Sequence, residues 1–266
     1  MNLSRRFFVL ITLLVSISVF AVSCFDNPSG PNNNDDDNGG DPSEYSHTQN
    51  PGLSANDFLS DESYTDLVLE IDYMPGYAPN QQALDSLESF FEQRLNKSNI
   101  TILEPSEISS GDQSTYTADD VRDLEEEHRD EFTEGETLAA YVIIVDGQYE
   151  QNNVLGIAYY NTSNAFFGTA YDDASTGFGS PSRYQVESTS LRHEFGHLFG
   201  LVNIDGSGTD MQTDHQDEEN GHHCNNENCL MYYAMERADL ISQFFDDSVA
   251  ELDANCIADL EANGGK

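Results

Sequence analysis

The stretch Ser190-Leu-Arg-His-Glu-Phe-Gly-His-Leu-Phe-Gly200 constrains this chain more than any other. His193 and His197 stand four residues apart, with Glu194 between them. On an α-helix that spacing puts both imidazoles on one face, able to grip one Zn²⁺ with a carboxylate beside a bound water. The bare motif turns up by chance on surface helices, so its context matters. Ser188, Thr189 or Ser190 can cap the helix start. Leu191, Phe195, Leu198 and Phe199 form an apolar stripe, and Gly200 supplies a stop. A bound zinc lowers the pKa of its water, and Glu194 can take that proton and later pass it to a leaving amine.

Catalytic zinc normally takes three protein ligands plus water, and this motif supplies two. One route to a third takes a glutamate from a later helix. Another turns the chain back at a glycine and places a ligand six residues after the second histidine. Gly200 fits the glycine turn, but the expected position is Asn203, and a neutral amide oxygen is a poor zinc ligand. Three histidines downstream stay open on residue type alone: His223, His215 and His222.

The amino terminus reads as an export leader. Arg5 and Arg6 precede an apolar run from Phe7 to Val22, and Ala21-Val22-Ser23-Cys24 is a small-residue cleavage site. That ending resembles a bacterial lipobox, which implies Cys24, closing the signal-peptide segment read over 1–24, as the lipid-bearing first residue of the mature chain. Ala21 is less typical there than leucine, so ordinary secretion is the alternative, and the apolar run is short for a membrane span. Residues 25–55, with Asn-Asn-Asn-Asp-Asp-Asp-Asn-Gly-Gly-Asp and little that is apolar, read as a flexible acidic tether. Residues 56–266 remain as one domain with room for a core.

Ten Lys+Arg against 49 Asp+Glu give a formal net charge of −39. Nucleic acid and anionic membrane surfaces are therefore poor partners, and contact with a membrane is expected through the lipid anchor only. A solvated acidic coat suited to high salt accounts for the charge. Calcium is the alternative, with Asp205-Gly-Ser-Gly-Thr-Asp210 as the candidate loop, although that run does not match an EF-hand.

Along the domain, Thr65–Asp72 alternates as a strand, residues 80–96 carry a helical stripe, and Ile100–Leu103 reads as a second strand. A helix is expected from Thr117 to about Phe132. Leu138–Val145 is apolar enough for a central buried strand. Val154–Phe167 reads as one further strand, weakened by Asn161 to Asn164, before a helix at about 186–199. Residues 236–252 repeat apolar positions at helical spacing, and Cys256–Ala262 adds a last helical turn or two. The order is that of an α+β domain with a mixed sheet, an active-site helix and a mainly helical C-terminal half.

His222-His223-Cys224-Asn-Asn-Glu-Asn-Cys229-Leu-Met231-Tyr232-Tyr233 resembles the continuation of the metal motif in archaemetzincins, with an insertion from Val202 to His222. The whole pattern is similar to that of exported bacterial lipoprotein metalloproteases of the same metzincin superfamily. The resemblance covers about 186–233 with specific motifs. It implies a zincin-like fold, His193, His197 and His223 as ligands with His215 the alternative third, and Glu194 as base. It also implies Met231 as a methionine turn beneath the metal and Tyr233 as an oxyanion stabiliser. An edge strand that pairs with extended substrate is implied too, for which Leu155–Tyr160 is the candidate.

Archaemetzincins hold a second, structural zinc with four cysteines, but their paired downstream cysteines are missing here, so that zinc is not expected. One disulfide is expected instead, Cys229–Cys256 or Cys224–Cys256. The function expected is that of a monomeric zinc endopeptidase held to the bacterial cell envelope or cell surface. The alternatives are a non-catalytic metal-binding lipoprotein and a zinc amidase acting on cell-wall peptides.

Overall fold

The computed structural model describes residues 45–244 and 248–266, so the leader, Cys24 and most of the tether lie outside the described residues. The elements run α1 (Ala55–Leu59), β1 (Asp66–Tyr73), α2 (Gln81–Arg94), β2 (Asn99–Ile102), β3 (Ser106–Glu107), β4 (Thr115–Tyr116) and α3 (Ala118–His128). They continue with β5 (Thr137–Val145), β6 (Gln148–Tyr149), β7 (Gly156–Tyr160), β8 (Ser163–Phe167), α4 (Gly168–Ser175), α5 (Arg183–Leu198) and α6 (Ala254–Ala262). Among the described residues no helix is long and apolar enough to cross a membrane.

The α+β class is the one observed. The main sheet has the order β2-β1-β5-β8-β7, with β3 also on β1. All pairs are parallel except β7 with β8. Leu138 to Val145 on β5 are buried, as a strand between two parallel neighbours requires. Residues paired across strands share a face. Glu70, Tyr141 and Ser163 are in register and meet α3 and the turn after it. There Arg129 bonds Glu125 at 2.6 Å and the Ala139 carbonyl at 3.0 Å, while Glu70 accepts from the Asp130 and Glu131 backbone. Arg129 turns inward, which ends α3 at His128, short of Phe132.

Phe166 and Gly156 point to the opposite face, against α5. There α2 and α5 meet through Phe90, Phe91, Phe195 and Phe199, with Phe91 and Phe195 edge to face at 4.7 Å. This aromatic layer fixes α5 on the sheet, and α5 carries the metal motif. The helix starts earlier than its serines suggest. Ser182 is the N-cap, with a reciprocal capping box to Gln185, while Ser188, Thr189 and Ser190 are buried mid-helix. Its end is as expected: Gly200 at φ +87° donates to His197 O, and Leu201 to Gly196 O, a Schellman closure.

Three other expectations are corrected. Val154–Phe167 is a hairpin, β7 and β8, turning at Asn161 and Thr162. Residues 45–54, assigned to the tether, lie on the domain: Asn161 N donates to Gln49 O, Gln49 N donates to Asn161 Oδ1, and Asn161 Nδ2 donates to Ser54 Oγ at 2.7 Å. The described residues of 236–252 form short 3₁₀ turns at Tyr233–Glu236 and Ile241–Gln243 instead of a long helix.

Candidate metal centres

The rings of His193, His197 and His223 form a nearly equilateral triangle, with centroids 4.9, 5.2 and 5.3 Å apart. Each has one nitrogen held by a backbone carbonyl. His193 Nδ1 bonds Leu230 O at 2.7 Å, His197 Nδ1 bonds Leu201 O at 2.8 Å, and His223 Nδ1 bonds Asn220 O at 2.6 Å. A carbonyl can only accept, so each Nδ1 carries the proton and each Nε2 offers a lone pair. The Nε2 atoms of His193 and His223 are buried with no hydrogen-bond partner, as is Glu194 Oε1. Buried polar atoms left this way are costly unless something fills the space between them. Three outer-shell carbonyls aiming three lone pairs at one point is what a zinc centre needs.

The backbone that brings His223 back is the inserted loop. Val202 N donates to His222 O at 3.2 Å, so the loop closes at its neck and His223 follows directly. Asn203 stays outside, donating to Gln216 at 2.7 Å. His222 bonds Val202 O and is exposed. Beneath α5, Met231 packs against Gly196: a β-carbon at residue 196 would stand 3.0 Å from Met231 Cε and closer still to Sδ. Tyr233 packs on Tyr232 at 4.7 Å and opens the turn that carries Glu236.

Glu236 escaped sequence reading. Its Oε2 lies 3.5 Å from His223 Nε2 and 3.9 Å from His193 Nε2. The donors of His193, His197, His223 and Glu236 all fall within 4.8 Å of one another. The only hint in the sequence is an acid interrupting the apolar run Leu230-Met-Tyr-Tyr-Ala-Met-Glu236.

Burial drives His193 down to about 3, with His223 adding to it, and holds His197 well below the usual histidine value. Burial acts most strongly to lower His223, but Glu236 together with the Asn220 carbonyl and Asp217 outweighs it and raises the imidazole. Glu194 is pushed well above the ordinary carboxylate range by burial and then by Glu236, while the Ala158 backbone on β7 pulls it back. Gly156 on the same strand makes room for this carboxylate, since a β-carbon there would meet Phe166 at 2.6 Å and Glu194 Cγ at 3.0 Å.

His215 belongs to a second cluster. His215, Cys224, Asp253 and Cys256 present donor atoms within 4.8 Å of one another. His215 Nδ1 is 3.4 Å from Cys224 Sγ, and Cys229 Sγ is 3.6 Å from Cys256 Sγ. The three thiols are free, so the expected disulfide is not present. The Cys229–Cys256 separation of 3.6 Å is close to the edge of about 3.8 Å that two sulfurs make around a tetrahedral zinc. Asp259 Oδ2 takes His215 Nε2 at 2.7 Å, leaving Nδ1 turned to the cysteines. Met231 and Asp253 backbone N–H groups donate to Cys229 Sγ at 3.4 Å. The inserted loop thus supplies His215 as one of the four donors of this cluster, with Cys229 Sγ beside Cys256. Asp205 and Asp210, the calcium candidates, are both exposed. Ser207 and Thr209 between them turn inward, Thr209 Oγ1 bonding Phe199 O at 2.9 Å.

No protein-family model matches the chain, and no curated protein matches it in sequence. Solved structures similar to it in fold include the following two. One is an archaemetzincin from Methanopyrus kandleri, at 16% identity and a TM-score of 0.49, covering 76% of this chain and 96% of that one. The other is metalloproteinase-II from Bacteroides fragilis, at 15% identity and a TM-score of 0.44, covering 85% of this chain and 59% of that one. The likeness at these values is one of fold outline, and both donor clusters stand on their own geometry.

Proposed function

We propose that this chain is a zinc-dependent endopeptidase. The observation that carries the reading is the set of three imidazoles whose Nδ1 atoms are held by carbonyls and whose Nε2 atoms converge beside a buried, partnerless Glu194 oxygen. His193, His197 and His223 would hold the metal. Zinc in such a site supplies Lewis-acid polarisation of a carbonyl and a water of lowered pKa.

The chain's own groups do the rest. Glu194, held between α5 and β7, accepts the water's proton and hands it to the departing amine. Its raised affinity for a proton suits a group that must hold one between the two transfers. β7 is the end strand of the sheet order, and an extended peptide laid along it would continue the sheet and set the scissile bond beside Glu194. The cluster of His215, Cys224, Asp253 and Cys256, with Cys229 beside it, is read as a structural metal centre, tying the inserted loop to α6. The envelope location rests on Cys24 and the run before it. Cys24→Ala should move the protein from the membrane fraction to a soluble or precursor pool.

Glu194→Gln tests the mechanism, since it removes a base and no ligand. Zinc content and fold should be kept while peptide hydrolysis falls by about a hundredfold or more. Activity within a few-fold of wild type on any peptide would sink the reading.

A further inference from the structure

A catalytic zinc keeps one position for water or substrate, yet this centre offers four protein donors. The spacing of the fourth is informative. Nitrogen and oxygen donors at ordinary zinc distances stand about 3.3–3.5 Å apart along a tetrahedral edge. Glu236 Oε2 is 3.5 Å from His223 Nε2 and 3.9 Å from His193 Nε2, close to such an edge on both.

The main chain holds Glu236 in place from the other side. Leu155 N donates to Glu236 O at 2.8 Å, and Ala238 N to Asn153 O at 2.8 Å, so residues 236–238 pair with the stretch leading into β7. The side chain is 15% exposed, whereas His193 and Glu194 are at most 1% exposed. Glu236 and the partly exposed His197 therefore lie on the outward side of the centre, with Glu236 next to the stretch leading into β7. Because its backbone is tied down, the carboxylate can leave by side-chain rotation alone.

We propose that Glu236 is the fourth, exchangeable metal ligand of the His193–His197–His223 centre, closing it at rest and swinging out as a substrate peptide is seated along β7. This rests on the peptidase reading for its substrate, but not for its coordination.

The test compares wild type with Glu236→Gln and Glu236→Asp, each loaded with zinc or with cobalt. Glutamine keeps the shape and loses the charge; aspartate keeps the charge and draws the oxygen back by one methylene. Both variants should bind one of their zinc ions about tenfold or more weakly in competition with a chromophoric chelator. Both should shift the visible cobalt spectrum, and acetohydroxamate should bind them more tightly than wild type because the position is free. Metal affinity and cobalt spectrum unchanged in Glu236→Gln would overturn the proposal. So would full wild-type behaviour in Glu236→Asp, since charge alone would then explain the residue. If wild type cleaves no peptide while the variants still shift affinity and spectrum, the ligand stands and the peptidase reading falls. If wild type is an active peptidase and the variants shift nothing, the reverse holds.

Discussion

Met231 occupies the space that a β-carbon on residue 196 would need, with its Cε 3.0 Å from that point and its Sδ nearer. A single glycine in α5, between His193 and His197, therefore lets the turn at Met231 rise directly beneath the two imidazoles. The same turn places Leu230 O on His193 Nδ1 at 2.7 Å. Helix and turn are thus positioned by one contact made possible by a missing side chain.

Gly196→Ala should force Met231 off the helix. Overpacking of this kind costs roughly 1–3 kcal/mol, although alanine is the better helix former. The net expectation is a lower Tm, together with weaker zinc binding because Leu230 O moves with the turn. Thermal unfolding and zinc competition check it. A variant with wild-type Tm and zinc affinity would mean that Met231 does not support the centre.

The metal helix was legible because its constraints are local: histidine spacing, apolar stripe and a glycine stop lie within eleven residues. The central strand β5 was legible for a similar reason, since an apolar run needs no partner to be recognised. What stayed hidden depends on distant backbone. Asn161 to Asn164 look like loop residues, yet they are fully buried because Asn161 satisfies the chain at Ser46 and Ser54. The helical spacing after Glu236 is misleading because the chain there bridges to the stretch before β7: Glu236 O accepts from Leu155 N, and Ala238 N donates to Asn153 O. No spacing rule joins His215 to Cys256, and the two meet only through the inserted loop and α6.

The two clusters can be separated by substitution. His223→Ala should lose the metal of the first centre and all peptidase activity, while retaining the second metal and its protected thiols. His215→Ala should keep the first metal and react readily with a thiol reagent at its cysteines. Metal per chain and thiol titration on both purified variants check the contrast. Loss of the first metal from His215→Ala, with retention in His223→Ala, would reverse the assignment.

Asp259 is 1% exposed and bonds His215 Nε2 at 2.7 Å and Gln212 N at 2.7 Å. A carboxylate behind a ligand histidine fixes its tautomer and raises its basicity, and its loss typically costs 10–100-fold in metal affinity, by about the measure seen in other second-shell carboxylates. Asp259→Asn should weaken the second metal by about that factor and leave the first untouched. Equal affinity for both metals in the variant and in wild type would remove Asp259 from the site.

Stability should rise with salt and with mild acid. The chain carries −39 at neutral pH, and raising ionic strength from about 0.1 to 1 M shortens the screening length from about 10 to 3 Å, which relieves that self-repulsion. Three buried carboxyls act in the same direction. Burial raises Glu70 against its bonds from Glu131 and Asp130, Asp72 against its bond from Tyr141, and Glu187 against Arg183. Each folded value lies above the unfolded one, so the folded chain binds these protons more readily. Their contribution is fully present below the ordinary carboxylate range and is lost as pH rises through the elevated folded values. With zinc kept saturating, Tm should climb as pH is lowered from neutrality towards the elevated folded values of these carboxyls. It should also climb with sodium chloride at fixed pH, most steeply at the high end of the pH range where the charge is greatest. A Tm that falls with added salt, or that is flat in salt while falling with acid, would show that the acidic coat is not what limits this fold.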